Sequence, residues 1–310
     1  MKKMINKVHI EGWLYDHKLT KKISGETSKN PGVEYINGTV DVATDNAGLN
    51  IVTIHYTYVT PVTKQNKPNA TYNALNAILT DNKSVVKVGM DNAVRVRADT
   101  SIGLNEFYSD RNGQEELVSV RRNEGGFIHI ITDALADTDA ERNNWEADTV
   151  ITKVREVEAD PERNLPAKVV ISGYAFDFRN ALLPIEAVAY KQSAQNFFLG
   201  LEASAAHPTF IKLIGQQISQ VIVRTVTEES AFDEPIVKQY KNTVREFVIT
   251  GAKPPYEWDT DETITVQEMK EALANREITK AEIKKRQDEY QASRATKAPA
   301  ASAAEGEYNF

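Results

Sequence analysis

Residues 94–131, VRVRADTSIGLNEFYSDRNGQEELVSVRRNEGGFIHII, decide the architecture. Val94, Val96 and Ala98 alternate with Arg95 and Arg97, the period of a strand with one buried face. Asn112-Gly113 is a strong hairpin signal, because both central positions of a type I′ turn need positive φ. Leu117 to Arg122 forms the return arm, Gly125-Gly126 allows a further bend, and Phe127–Ile131 reads as a closing strand. The outline is a strand, a long protruding hairpin with Arg111 at its tip and Arg121 and Arg122 on its return arm, and a last strand.

Upstream, residues 7–15 alternate. Val8, Ile10, Gly12 and Leu14 share one face, and His9, Glu11, Trp13 and Tyr15 share the other. Gly12 in mid-strand points to a bend such as a barrel corner. Residues 16–31 read as a loop carrying Lys18, Lys21, Lys22 and Lys29. Strands follow at 33–43, with Tyr35 on the outward face, and at 49–59, where Tyr56 and Tyr58 are assigned to the core. Asn69 caps a helix running to Leu79. Three strands, a helix and two strands is the order of an OB-fold, a five-stranded barrel that commonly binds single strands.

Downstream the order returns. Residues 134–147 are acidic and read as a connector. Strands are expected at 148–158, 168–178 and 183–190, a helix at 193–203, and strands at 219–227 and 245–251. Ile36-Asn37-Gly38 aligns with Ile171-Ser172-Gly173, and Asn46-Ala47 with Asn180-Ala181. A rival register, residues 7–12 on 168–173, has more identities but breaks the strand order. Thr265 and Thr279 each open a capping box, so two short helices are expected, to about Asn275 and Gln291. Residues 293–304 are Ala, Ser, Pro and Thr with little to bury, and read as disordered.

The expected fold is therefore mainly β with short helices: tandem OB-fold-like five-stranded barrels, a small C-terminal helical extension and a disordered tail. The divisions are 1–133, a nucleic-acid-binding OB-fold; 134–147, a connector; 148–252, a second OB-like domain; 253–291, a helical extension; and 292–310, a linker with an acidic-aromatic tip.

Composition narrows the function. The 310 residues are 41% hydrophobic and 26% charged, enough to bury real cores. There is no cysteine, which excludes disulfides and thiol nucleophiles. Net charge is −7, yet residues 1–133 hold 16 Lys and Arg against 15 Asp and Glu, whereas residues 134–252 hold 12 against 17. The first residues lack the apolar core of a signal peptide, and no run of about 18 apolar residues exists, so a cytoplasmic protein is expected. His9, His17, His55, His129 and His207 are scattered without metal-ligand spacing, and no Gly-x-x-x-x-Gly-Lys loop occurs. No enzyme, metal or cofactor is expected.

The hairpin, Tyr108 to Gln114 followed by Val118-Ser-Val120, resembles that of bacterial and phage single-stranded DNA-binding (SSB) proteins. So do Asn6-Lys7-Val8 and Gly12-Trp13-Leu14 of the first strand. The chain also ends like that family, in a flexible linker and an acidic tip with a terminal Phe. Here Asn309 stands where the family has Pro, and there are two acids, Glu305 and Glu307. The second barrel and the helical pair lie outside the simple bacterial pattern and point to a phage or mobile-element version. The resemblance implies binding of single-stranded DNA in replication or recombination, with host partners recruited through Glu305, Glu307, Tyr308 and Phe310 and a possible homo-oligomer.

Single strands are held by a basic groove along the phosphates and aromatic faces beneath the bases. The candidate set is Trp13, Tyr15, Tyr35, Phe107 and Tyr108 for stacking, with Lys18, Lys21, Lys22, Arg95, Arg97, Arg111, Arg121 and Arg122 for phosphates. Two alternatives stand beside it: a phage structural or scaffold protein built from OB-like barrels, and a nucleic-acid enzyme with a hidden carboxylate site.

Overall fold

Val8, Ile10 and Leu14 are buried on one face of β1 (Asn6–His17), as the alternation requires. The computed structural model describes residues 3–111, 113–161, 165–228, 236–258, 260 and 263–297. Around β1 a first ring closes. β1 pairs antiparallel with β3 (Glu34–Ala43) through Trp13–His17 and with β5 (Arg95–Arg111) through Val8–Trp13. β3 pairs with β4 (Ile51–Val59), and β5 with β6 (Gln114–Ile131). A short parallel contact, Ile54 and His55 beside Asn123 and Glu124, joins β4 to β6. α1 (Ala70–Asp81) buries Tyr72, Leu75 and Ile78 in the ring's core, and its cap is as read: the Asn69 side chain accepts the Thr71 N–H.

The second ring repeats the wiring. β7 (Asn143–Val157) pairs antiparallel with β8 (Lys168–Phe176) and with β10 (Thr209–Glu228). β8 pairs with β9 (Leu182–Ala189), β10 with β11 (Ile236–Ala252), and β9 meets β11 in parallel at Val188 and Val248. α4 (Gln192–Gly200) sits between the third and fourth strands, as α1 does in the first ring. Among the described residues the result is an 11-stranded sheet carrying two ring closures, a mainly β fold of OB-like barrels.

The repeat alignment acquires a physical basis at its glycines. A Cβ on Gly38 of β3 would lie 2.0 Å from the Lys18 carbonyl oxygen, and one on Gly173 of β8 would lie 2.0 Å from that of Val150. Each marks the place where the ring's second strand crosses tightly over its first. The rival register sets Gly173 against Gly12, whose Cβ would also lie 2.0 Å from a carbonyl oxygen, that of Ala43, but Gly12 is on its ring's first strand and Gly173 on the second.

The rings meet through β1 and β7, which pair antiparallel from Asn6↔Ala147 to Ile10↔Asn143. Equivalent strands thus join edge to edge, near their N-terminal ends. Buried amides fasten the contact further. Asn50 donates to Gln217 O (3.0 Å), and Asn123 and Gln217 exchange two side-chain bonds (2.9 and 2.8 Å). Within the second ring, Asn143 donates to Gln217 O and accepts its N–H.

Three local expectations are corrected. The loop expected over residues 16–31 contains an exposed strand, β2 (Thr20–Ile23), paired with β3. The strand expected from Asp148 begins at Asn143, directly after a one-turn helix, α3 (Asp139–Arg142), capped by Thr138. The two C-terminal helices are one, α5 (Val266–Lys297), which runs on past Ser293 into the stretch read as disordered. Thr265 does cap, accepting the Glu268 N–H. Thr279 instead turns its hydroxyl back to Asn275 O (3.0 Å), the bond of a mid-helix threonine, so its capping-box spacing is not used. A short helix, α2 (Val85–Val88), precedes β5. Among the described residues no helix is long and apolar enough to cross a membrane.

Candidate nucleic-acid interface

The outward face of the first ring holds Trp13, Arg95 and Arg97 in register. Trp13 lies opposite Arg95, Glu11 opposite Arg97, and His9 opposite Asp99 across β1 and β5; Arg95, Arg97 and Asp99 lie opposite Ile131, His129 and Phe127 across β5 and β6. Phe127 is 65% exposed.

Trp13 is half-buried beneath the Arg142 guanidinium, 5.5 Å from its ring centroid. Arg142 is held by Asn46 Oδ1 (2.6 Å) and Ala136 O (2.5 Å). Trp13, Arg95, Arg142 and Asn92 line an open cleft of about 550 Å³. Arg95 also donates to Thr132 O (2.7 Å). Arg142 fell in the expected connector. Its signal was Thr138-x-x-Glu141, the capping box that builds α3 and aims this arginine.

Arg97 is less free than its outward position implied. It donates to Glu11 Oε2 (2.5 Å), and Glu11 is buried although its position alternates outward. Burial raises the Glu11 pKa, but bonds from Arg97 and the Ala136 N–H outweigh it and hold the carboxyl below its usual range. The pair places no net charge on the face.

At the other end of the face, Tyr35 and Tyr58 stack with ring centroids 4.5 Å apart. Tyr58 is 44% exposed and not in the core. The register between β3 and β4 shifts between Ile36 and Gly38, so Ile36 faces Val59 while Gly38 faces Tyr56. Tyr56 stays buried and Tyr58 turns out to meet Tyr35. Lys22 lies opposite Tyr35 across β2 and β3 and shares its face. Lys18, Lys21 and Lys22 are exposed, and Tyr15 is half-buried. His55 sits in the parallel seam beside Glu124; burial, then the nearby Arg122 guanidinium, push its pKa below the ordinary imidazole value.

Alternation divides the hairpin candidates. Phe107 and Arg122 lie on its open face, as does the register position of Arg111, whose side chain is outside the described atoms. Arg122 is bonded to Glu124 (2.6 Å). Tyr108 and Arg121 lie on the opposite face, which is covered. The Tyr108 backbone is bonded to Gln287 of α5, and Lys284 lies 5.8 Å from its ring. Arg121 reaches the second ring, donating to Glu186 O (2.6 Å) beside the Phe247 ring; burial lowers its pKa. Glu305, Glu307, Tyr308 and Phe310 lie outside the described residues, as does Asn112. Among the described residues no group of three or more His, Asp or Glu could hold a metal ion.

With this geometry established, comparison with known proteins adds a family. The model of the YorF family matches residues 5–288, both rings and most of α5. The chain belongs to the YorF family. No match was found among curated proteins. Among solved structures, this YorF-family chain is similar to the wild-type single-stranded DNA binding protein from Thermus aquaticus, at 10% identity and TM-score 0.46, over 83% of this chain and 95% of that one. A deletion mutant of that protein matches at 9% identity and TM-score 0.45, over 85% of this chain and 100% of that one.

Proposed function

We propose that the protein binds single-stranded nucleic acid, single-stranded DNA first, on the outward face of its first ring, and has no catalytic role. The observation that carries this reading is the half-exposed Tyr35–Tyr58 pair beside Lys22, on an open OB-type barrel face that also bears Tyr15, Trp13 and Arg95. Large rings left partly in water on a sheet surface are platforms for bases, and neighbouring cations meet the phosphates. The proposed set is Trp13, Tyr15, Lys18, Lys21, Lys22, Tyr35, Tyr58, Arg95, Phe107, Arg122 and Arg142. Tyr108 and Arg121, committed to α5 and the second ring, are left out.

The biological setting of this reading is replication or recombination in a cytoplasm, on a phage or mobile element, with residues 1–133, joined by Arg142 of α3, as the binding unit and the tip at Glu305–Phe310 recruiting a partner. The test is titration of labelled single-stranded and double-stranded DNA over a salt series, with Tyr35→Ala and Tyr58→Ala alongside wild type. Preference for single strands, a linear fall of log affinity with log salt, and loss of affinity in both variants are expected. Equal binding of duplex, or two variants that bind as wild type, overturns the reading. Deleting residues 305–310 should leave DNA affinity unchanged while removing a partner recovered from host extract.

A further inference from the structure

Beyond the first ring's outer face, β5 has an edge that no strand covers among the described residues. β1 pairs with it only as far as Thr100. Past that point two side-chain amides imitate a strand. Asn6 donates to Ile102 O and accepts its N–H, both at 2.9 Å. Gln287 donates to Tyr108 O (2.6 Å) and accepts its N–H (2.8 Å). Both residues therefore turn N–H and C=O away from β6. The β5–β6 register is unbroken from Ser101 to Arg111, so Leu104 and Glu106, at the same parity between them, present theirs to the same side. Among the described residues none bonds the Leu104 or Glu106 backbone there. That side opens into a groove of about 420 Å³ between β5, α5 and the turn at Asp177–Leu183.

We propose that this groove docks an extended basic peptide segment of a partner protein, which adds to β5 as a strand at Leu104 and Glu106. Strand addition supplies main-chain bonds, and the groove walls select alternate side chains. The walls select for positive charge. Glu106 and Arg276 neutralise each other in a buried pair and Glu124 is paired with Arg122, leaving Asp177, Glu268 and Glu271 against Arg179. Phe178, 74% exposed at the rim, offers an apolar surface for an intervening side chain. The same carboxylates disfavour a phosphate chain, so the occupant is a peptide and not a nucleic acid. This inference does not rest on the function proposed for the first ring.

The probe is fluorescein-labelled Lys-Val-Lys-Val-Lys-Val, followed by anisotropy with the full chain at low salt. Binding is expected, weakened by salt and by Glu271→Lys, an exposed charge reversal. Methylating the peptide's alternate backbone nitrogens should weaken it at least tenfold. Leu104→Pro should do the same from the protein side, since it removes only the outward N–H, and proline is tolerated at a strand edge. Its thermal midpoint and single-strand affinity should stay at wild-type values. Failure of the parent peptide to bind, or equal binding by the methylated peptide, overturns the proposal. Should Leu104→Pro not fold, the methylated peptide decides.

Discussion

Glu11 shows how a single residue can mislead an alternation pattern. It alternates outward with Trp13, yet it is buried between Arg97 and the Ala136 N–H. Its folded pKa is depressed, so its contribution to stability is present above the ordinary carboxylate pKa and is lost as pH falls through the folded value. Glu11→Gln should therefore be less stable than wild type at pH 7, and the gap should close as pH falls through the folded value; urea unfolding over a pH series from 7 down to the acid limit of the folded state reads it. A gap that persists in acid would mean that packing, not charge, sets the cost. For the neighbouring aromatics, stacking is worth roughly 1–3 kcal/mol per base, so Tyr35→Ala or Trp13→Ala should weaken single-strand binding about 5- to 100-fold. Tyr108→Ala should leave it unchanged, because that ring lies against Lys284 of α5. The three affinities together test whether the ring's outward face, and not the α5-covered side of the hairpin, meets DNA.

At the scale of elements, the two threonines of the C-terminal helix make opposite predictions. Thr265 caps the start of α5, so Thr265→Ala should cost about 0.5–2 kcal/mol. Thr279 is exposed and inside the helix, so Thr279→Ala should be neutral or stabilising by up to about 0.7 kcal/mol, alanine being the better helix former. Two short helices would instead make both substitutions destabilising, and thermal unfolding of each separates the cases. Much of the element map was legible: the strand order of both rings, the Asn69 cap, and the glycine repeat at Gly38 and Gly173. Alternation names two faces but says nothing of what covers them. Tyr108 and Arg121 were therefore placed with Phe107 and Arg122, although α5 and β9 occupy their side. The Tyr58 assignment failed for a related reason: the β3–β4 register shift reverses the parity on which it rested.

For the whole molecule, the buried amides around Gln217 are the most consequential contacts that sequence could not show, since Asn50, Asn123 and Asn143 are brought to it from far along the chain. Gln217→Ala would leave the Asn123 Oδ1 buried without its donor, although Asn123 Nδ2 keeps Thr53 O, at a cost of about 1–3 kcal/mol. Because the lost Asn123–Gln217 side-chain pair links β10 to β6 of the first ring, the variant should lower the thermal midpoints of both rings together. A variant that lowers only the second ring's transition would make the rings energetically independent.

The β1–β7 seam has a further consequence. Two separate chains that met through equivalent strands would come apart on dilution, and every substitution would appear twice. Here both partners are carried by one chain, so their encounter is intramolecular and independent of protein concentration. Each ring is also free to change alone. The outer face of one can gather tyrosines and lysines while its neighbour becomes acidic, a division of labour closed to a symmetric pair of identical subunits.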